Sequence, residues 1–281
     1  MPWARAFAER FRLLVELLAV VDVESFLTSV EQARRFDKLV EQTSAQSKAY
    51  LERLSGRFVG LKVKRTVEQG NAADIIVEKA AANQSTLIAM TTHGRSGLNR
   101  WLLGSVTEKV LRATTNPLML VRASSEGRSE GEARLRSIVA PLDGSELAEK
   151  ALPIVAKIAK KFACEIFLFR AYSNPYSPLV SGGGHYAVNL DELLASVRDE
   201  ARSYLDGIVA KLKTQGVEQI SYLLQEGTAA NEIVAVASDT QDSLIVMSSH
   251  GRSGVKRWVL GSVAENVMRH SNSPVLVLRN S

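Results

Sequence analysis

The chain has 281 residues, enough for two domains of ordinary size, and 46% of its residues are hydrophobic while 23% are charged. It has no apolar run of about 18 residues that would span a membrane and no basic-then-apolar leader, so we expect a globular, cytoplasmic protein. The net charge of +5 comes from Lys and Arg interleaved with Asp and Glu, which disfavours a nucleic-acid partner. The single cysteine, Cys164, excludes an internal disulfide framework and is predicted to be a buried, inert thiol.

The first half of the chain predicts alternating helices and strands. A helical pattern covers residues 1–8, and the apolar run Leu17–Val21 is already the second strand of the repeated unit. A later helix is predicted to be capped by Asn71. Two further apolar strands, Thr86–Met90 and Pro117–Val121, complete this half. 

A polar segment, residues 124–136, has no apolar period and is predicted to link two domains, residues 1–123 and 137–281. The second half begins with an apolar strand, Ser137–Leu142, that ends in the turn Asp143–Ser145. The remaining predicted elements are a helix Glu146–Phe162, a strand Glu165–Ala171, a mobile flap around Gly182–Gly184, a helix Asp191–Thr214, a strand Glu218–Leu224, a helix opened by Thr228, a strand Leu244–Met247, a helix from Ser262 and a strand Pro274–Leu278. This alternation predicts an α/β fold with a parallel sheet covered by helices on both faces.

A 14-residue segment occurs twice, as His93–Val106 and as His250–Val263, with 11 identical positions and an offset of 157 residues. Each copy follows an apolar strand, carries glycines and opens a helix with Gly-Ser. Glycine loops at a helix amino-terminus favour phosphate, because the backbone approaches closely and unpaired N–H groups point outward. A ligand-free alternative is that Ser105 with Glu108, and Ser262 with Glu265, form capping boxes.

The order of the elements favours the nucleotide interpretation. In parallel α/β sheets, ligands bind beyond the carboxyl ends of the strands, where the strand order reverses. Asp143 ends the first strand of the second half and Ser248 follows the fourth, so two loops far apart in sequence are predicted to meet at one crevice.

The first half has no counterpart of residues 138–151. The strand within that range is expected in the sheet interior, and losing the equivalents of Ile138, Val139 and Leu142 forfeits roughly 5 to 9 kcal/mol, at about 1.5 to 3 kcal/mol each. Domain stability is only about 5 to 15 kcal/mol. We therefore expect either an upstream segment that supplies the strand or stabilisation of the first domain by the second.

The repeated His-Gly-Arg-Ser-Gly segment, the strand ending Pro141–Ser145 and the closing run Pro274–Leu278 resemble the universal stress protein family in its tandem form. The resemblance implies an adenine-nucleotide alpha-hydrolase-like, Rossmann-like fold of five parallel strands in each of two copies, with the domains paired through their last strands. It also implies bound ATP in one branch, with Mg²⁺ as a possible companion, and leaves a homodimer open. The candidate nucleotide-binding residues are Pro141, Asp143, Ala171, Met247, Ser248, His250, Gly251, Arg252, Gly261, Ser262 and Val263 in the second domain and Met90, Thr91, His93, Gly94, Gly104, Ser105 and Val106 in the first.

Two departures from the family pattern rank the sites. Thr91 and Ser248 stand where the ATP-binding pattern has its first glycine, so a Cβ limits how closely the backbone approaches a phosphate. The first domain also lacks an aspartate equivalent to Asp143, so the second domain is the better site.

His93 and His250 are open to two interpretations, support of the loop or contact with a phosphate. 

Three functions stay open at this point. The first is an ATP-binding, stress-response regulatory module, and the second is a nucleotide-free interaction and dimerisation module of the same fold. The third is slow ATP hydrolysis, although no nucleophile with a matching base is apparent. No His or Cys spacing indicates a metal site.

Overall fold

The computed structural model describes residues 1–22, 30–92, 103–122, 132–172, 190–251 and 260–279. The side chains of two long helices are described from Asp37 and from Glu192 onward. The chain forms two compact units, Met1–Ala133 and Arg134–Ser281, and the boundary falls inside the predicted linker. None of the described helices is long and apolar enough to cross a membrane.

The second unit is a parallel sheet with helices. Its elements are β5 Ser137–Pro141, α5 Glu146–Glu149, α6 Leu152–Phe162, β6 Glu165–Tyr172, α7 Leu190–Thr214, β7 Ile220–Glu226, α8 Ala229–Asp239, β8 Ser243–Ser248, α9 Ser262–His270 and β9 Val275–Leu278. The strands lie in the order β9-β8-β5-β6-β7, and all are parallel to their neighbours. The predicted α/β fold with a five-stranded parallel sheet is confirmed in this unit.

The centre of this sheet is apolar because strands buried on both faces carry no solvent-facing positions. Every residue of β8 is buried, and Ile138 and Val139 of β5 are fully inaccessible. The strand order reverses on the two sides of β5, since β6 and β7 lie to one side and β8 and β9 to the other. This reversal places the crevice predicted from sequence at the carboxyl end of β5.

The predicted helix Glu146–Phe162 is wrong as a single element, because the structure has α5 and α6 with a break at Lys150 and Ala151. Pro153 lies in the first turn of α6 and has no N–H to donate to the carbonyl four residues earlier. Ser145 caps α5, and its side chain accepts from the Ala148 N–H at 3.2 Å. The short α5 is thereby attached to the Asp143 turn.

The first unit contains β1 to β4 and α1 to α4. Its elements are α1 Pro2–Phe11, β1 Val15–Val21, α2 Val30–Ser55, a 3-10 turn Gly56–Phe58, β2 Val63–Gln69, α3 Ala72–Ala81, β3 Ile88–Thr91, α4 Ser105–Ala113 and β4 Leu118–Val121. Asn71 caps α3 as predicted, because its side chain accepts from the N–H groups of Ala73 and Asp74. A small core of Leu17, Leu51 and Phe58 lies between β1 and α2.

The strands of the first unit form two separate pairs. β1 pairs with β2 and β3 pairs with β4, both in parallel register. α1 ends at Arg12 with φ 55°, and α6 ends in the same left-handed way at Ala163 with φ 53°. This equivalence matches β1 to β6, so the first described strand of this unit corresponds to the second strand of the other. The predicted absence of a counterpart to β5 is confirmed for the described residues.

Candidate functional site

A cavity of about 260 Å³ opens at the carboxyl ends of the central strands of the second unit. Every predicted second-domain site residue that the structure describes lines it: Pro141, Asp143, Ala171, Met247, Ser248, His250, Gly251, Gly261, Ser262 and Val263. Three predicted site residues lie outside the described residues: Arg252 of the second copy, and His93 and Gly94 of the first. The predicted flap around Gly182–Gly184 also lies outside them.

Asp143 is held by the turn that follows β5. Its Oδ1 accepts from the Ser145 N–H at 2.9 Å and from the Ser145 hydroxyl at 2.6 Å. The strand end is held in turn by the Leu142 N–H, which donates to the Phe169 carbonyl at 2.8 Å. These contacts hold the carboxylate in place in the lining of the cavity.

Gly251 lies directly against this carboxylate. A Cβ at residue 251 would overlap Oδ2 of Asp143 and lie 3.2 Å from its Cγ. A side chain at residue 251 would therefore force the Asp143 carboxylate to shift, so packing favours glycine here. Close approach to a phosphate is the reason for glycine that the sequence predicts, and the contact with Asp143 is a second reason.

Gly261 closes the loop at its other end. Its N–H donates to the Ser249 carbonyl at 2.9 Å, and a Cβ at residue 261 would lie 2.9 Å from that same oxygen. Real Cβ atoms do not approach a backbone oxygen so closely, so only glycine fits. The first unit repeats the contact, since the Gly104 N–H donates to the Thr92 carbonyl at 2.8 Å.

The amino-terminus of α9 has no side-chain cap. Gly261 is the N-cap residue, Ser262 is the first helical residue, and Glu265 pairs with Arg269 at 2.7 Å. The same holds in the first unit, where Gly104 is the N-cap of α4 and Glu108 pairs with Arg112 at 3.1 Å. The capping-box interpretation is therefore wrong for both copies, because each serine lies one position too late and each glutamate is turned towards an arginine.

The absent cap matters for ligand chemistry. The first N–H groups of a helix have no intrahelical acceptor and carry the positive end of the helix dipole. Gly261, Ser262, Val263 and Ala264 all line the cavity. The cavity therefore has one wall that is suited to an anion.

Much of the remaining lining is apolar. It includes Pro141, Phe169, Ala171, Ile233 and Met247. Met247 is 6% exposed and Phe169 is 1% exposed, so both are held in the core. A flat apolar group fits this wall, whereas a charged group would lose its hydration there without compensation.

Ser248, Ser249 and His250 contact one another where the chain leaves β8. The His250 N–H donates to the Ser248 hydroxyl at 3.4 Å, and the Ser249 hydroxyl lies 2.9 Å from Nδ1 of His250. Burial, with a smaller contribution from the charge of Arg279, lowers the pKa of His250. The ring is thus neutral at neutral pH. Ser248 thus has a defined contact with the backbone of His250.

Sequence reasoning missed two residues near this site. Arg170 is 6% exposed on β6, its guanidinium lies 5.0 Å from the ring centre of Tyr204, and it is 3.6 Å from the Glu200 carboxylate. Burial and the nearby carboxylates of Glu149 and Asp143 raise the pKa of Tyr204. The sequence did contain a signal for Arg170, because it is a charged residue within the otherwise apolar run of β6.

The corresponding residues of the first unit form a less complete arrangement. Met90 is half-buried and Thr91 is exposed on β3, while Gly104, Ser105 and Val106 begin α4. The Thr107 hydroxyl donates to the Thr91 carbonyl at 3.1 Å. The described part of this unit contains no turn equivalent to the one that carries Asp143.

Both halves of the chain match the sequence pattern of one known protein family. The sequence model of the universal stress protein family matches twice, over residues 2–122 and 134–279. The chain belongs to the universal stress protein family, as a tandem of two domains.

Individual relatives agree with this assignment. Universal stress protein MJ0531 of Methanocaldococcus jannaschii is 34% identical over 150 residues, which cover 53% of this chain and 85% of that protein. Universal stress protein MJ0577 of the same organism is 32% identical over 154 residues, covering 51% of this chain and 94% of that protein. The crystal structure of a universal stress protein from Archaeoglobus fulgidus shares the fold, with a TM-score of 0.69, 19% identity and coverage of 99% of this chain and 93% of that chain.

Proposed function

We propose that the second unit of this universal stress protein binds an adenine nucleotide, with ATP as the principal ligand, and acts as a stress-response regulatory module. The observation that supports this most directly is the position of Asp143 against Gly251, in a cavity that is also lined by the uncapped start of α9 and by apolar side chains. The three parts match the three chemical parts of a nucleotide.

The apolar wall suits the base, because Ala171, Ile233 and Met247 can contact a flat ring without losing hydrogen bonds of their own. Asp143 suits the sugar, because a carboxylate accepts hydrogen bonds from hydroxyl groups. The amino-terminus of α9 suits the phosphates, because its N–H groups and dipole favour negative charge. In this proposal Mg²⁺ binds to the nucleotide phosphates.

The first unit is proposed to be the weaker site. It has the uncapped helix α4 beginning after Gly104, but the described residues include no carboxylate in the place of Asp143. A phosphate could be held there without the sugar being recognised. Stoichiometry close to one nucleotide per chain is therefore expected.

Calorimetric titration of Mg-ATP into the folded protein tests the proposal. Asp143→Ala should weaken binding about ten- to hundredfold, since a hydrogen bond involving a charged group contributes about 1.5–3 kcal/mol. Asp199→Ala is the matched control, because Asp199 is exposed on α7 and its substitution removes the same charge. Absence of heat at millimolar nucleotide, with the protein folded by circular dichroism, would refute nucleotide binding.

A second candidate function is a nucleotide-free interaction module. It is favoured by the packing reasons for Gly251 and Gly261, which need no ligand, and by the Ser248 hydroxyl that accepts from the loop backbone. In that case the closing strands β4 and β9 are the proposed pairing surfaces. Nucleotide released from the purified protein on denaturation, identified by absorbance and mass, would count decisively against it.

Slow ATP hydrolysis is a third, separate hypothesis. It predicts phosphate release that is abolished by Asp143→Ala but retained by Asp199→Ala. Release that is the same in both variants would identify a contaminating activity.

A further inference from the structure

The helix α5, which follows the Asp143 turn, is too short to hold its own position. It has four residues, Glu146–Glu149, and its N-cap Ser145 donates two hydrogen bonds to Oδ1 of Asp143 and accepts one from the Ala148 N–H. A helix of this length is unstable in isolation, because forming the first turn fixes many dihedral angles for few hydrogen bonds. The position of the Asp143 turn therefore depends partly on what α5 contacts elsewhere in the domain.

Glu149, the last residue of α5, joins this helix to α7. Its carboxylate accepts a hydrogen bond from Nζ of Lys211 at 3.3 Å, across 62 residues of sequence. The Glu149 side chain is 26% exposed, so water screens its charge only partly. The helix α7 has 25 residues and packs on β6 and β7. The contact therefore connects the short helix beside Asp143 to a long helix that is fixed on the sheet.

Tyr204 lies on the same face of α7 as Lys211, because it precedes Lys211 by about two helical turns. The Arg170 guanidinium lies 5.0 Å from the centre of its ring, and its hydroxyl oxygen is buried with no hydrogen-bond partner among the described residues. Burial raises the pKa of Tyr204, the charge of Glu149 raises it further, and Asp143 has a smaller effect. Tyr204 and Lys211 are therefore both close to the Glu149 carboxylate.

Glu149 does not itself line the cavity. The described lining includes Asp143 and Ala148 but not Glu149, Tyr204 or Lys211. Ala148 is 6% exposed, so the residue next to Glu149 is packed in the domain. A substitution at Glu149 thus removes no contact with a ligand in the cavity, and its effect on the site passes through the position of α5.

We propose that Glu149 is a positioning residue for the nucleotide site, and that its contacts with α7 hold α5 so that the Asp143 carboxylate stays in the cavity. The inference rests on the proposed function, in which Asp143 accepts hydrogen bonds from the sugar hydroxyls. Loss of the Glu149–Lys211 pair lets α5 move, which weakens recognition of the sugar. Recognition of the base and of the phosphates stays as it was, because other elements provide it.

Calorimetric titration of the whole protein with two nucleotides tests the positioning role. Glu149→Ala and Lys211→Met should each weaken binding of Mg-ATP about threefold, as expected for the loss of one partly exposed ion pair. Binding of the magnesium complex of dideoxy-ATP, which lacks both sugar hydroxyls, should be the same in these variants as in the parent. Lys213→Met is the matched control, because Lys213 is exposed in the same last turn of α7, and it should leave both affinities unchanged.

Three results would overturn the proposal. The first is equal weakening for both nucleotides, which indicates general damage to the domain. The second is opposite effects of Glu149→Ala and Lys211→Met on ATP affinity, which indicates a long-range effect of charge, since the two substitutions change the net charge in opposite directions. The third is a parent protein that binds ATP and dideoxy-ATP equally well, since Asp143 then does not contact the sugar.

Amide hydrogen exchange without nucleotide separates this inference from the proposed function. The Ser145 and Ala148 N–H groups donate to side chains of the Asp143 turn, so Glu149→Ala and Lys211→Met should speed their exchange about threefold. Exchange at Ile138, in the centre of the sheet, should stay unchanged in both variants. Unchanged exchange at Ser145 and Ala148 would overturn the positioning role even if nucleotide binds. Absence of binding to the parent would refute the proposed function, and the exchange result would still decide whether α7 holds the Asp143 turn.

Discussion

Asp143 and Gly251 lie 108 residues apart in the chain and touch in the fold, with the Asp143 carboxylate occupying the space that a side chain at residue 251 would need. The contact joins the turn after β5 to the loop after β8. Asp143, which follows β5, and Gly251, which belongs to the repeated segment, are therefore parts of one site. The consequences can be measured by substitution.

Gly251→Ala should lower nucleotide affinity about tenfold, because the added methyl group pushes the Asp143 carboxylate away from its position on Ser145. Gly207→Ala is the control, because no atom lies within 4 Å of a Cβ at that position in α7. Calorimetry with Mg-ATP measures both variants. Unchanged affinity in Gly251→Ala would mean that Asp143 does not contact the nucleotide.

Gly261→Ala should destabilise the second unit by about 1–3 kcal/mol, since its Cβ would meet the Ser249 carbonyl, and backbone cannot move aside as a flexible side chain can. Gly207→Ala should do the opposite and stabilise by about 0.5–1 kcal/mol, because alanine is the better helix residue. Urea unfolding followed by circular dichroism measures both. A Gly261→Ala protein as stable as the parent would show that the loop relaxes without strain.

Stability should depend on the protonation of His250. The pKa of His250 is lowered in the folded protein, so the unfolded chain binds the proton more readily. The contribution of neutral His250 is complete above the ordinary pKa of about 6.5 and is lost as pH falls from there through the lowered folded pKa.

Thermal unfolding between pH 8 and pH 5 measures this effect as a difference between variants. His250→Gln should show a shallower loss of stability on acidification than the parent protein. His270→Gln is the control, because His270 is exposed at the end of α9, and it should keep the parent slope. Identical slopes in all three proteins would exclude His250 as the titrating group.

Cys164 should be unreactive in the folded protein. Its side chain is buried, and burial raises the pKa of the thiol to about 11, so little thiolate forms at pH 8. A thiol reagent should label the native protein at least about a hundredfold more slowly than the urea-unfolded chain. Because it is the sole cysteine, no other thiol contributes to the signal. Rapid labelling in native buffer would contradict a closed core at the start of β6.

Local sequence patterns predicted many helices and strands of this protein, because helix caps, turns and strand periodicity depend on interactions between neighbouring residues. The duplicated segment, the Gly-Ser start of α4 and α9, and the Asn71 cap depend on neighbouring residues. The sequence also predicted that the first half lacks a counterpart of β5, since aligning the two halves shows which strand has no equivalent among the described residues. The break between α5 and α6 was missed although Pro153 was visible, because a proline in a first turn starts a helix as readily as it ends one.

The sequence by itself determined the family, the tandem arrangement and the position of the glycine-bearing segment in each half. Each of these depends on patterns that span only a few neighbouring residues, such as an apolar strand, a glycine or the start of a helix. Only the tertiary structure decided why Gly251 and Gly261 are glycines, that Ser262 does not cap α9, and that Ser248 and Ser249 hold His250. The contacts of the glycines join residues that are remote in sequence. The exact residue at which α9 begins depends on how the helix packs in the domain. Local sequence patterns determine neither of these.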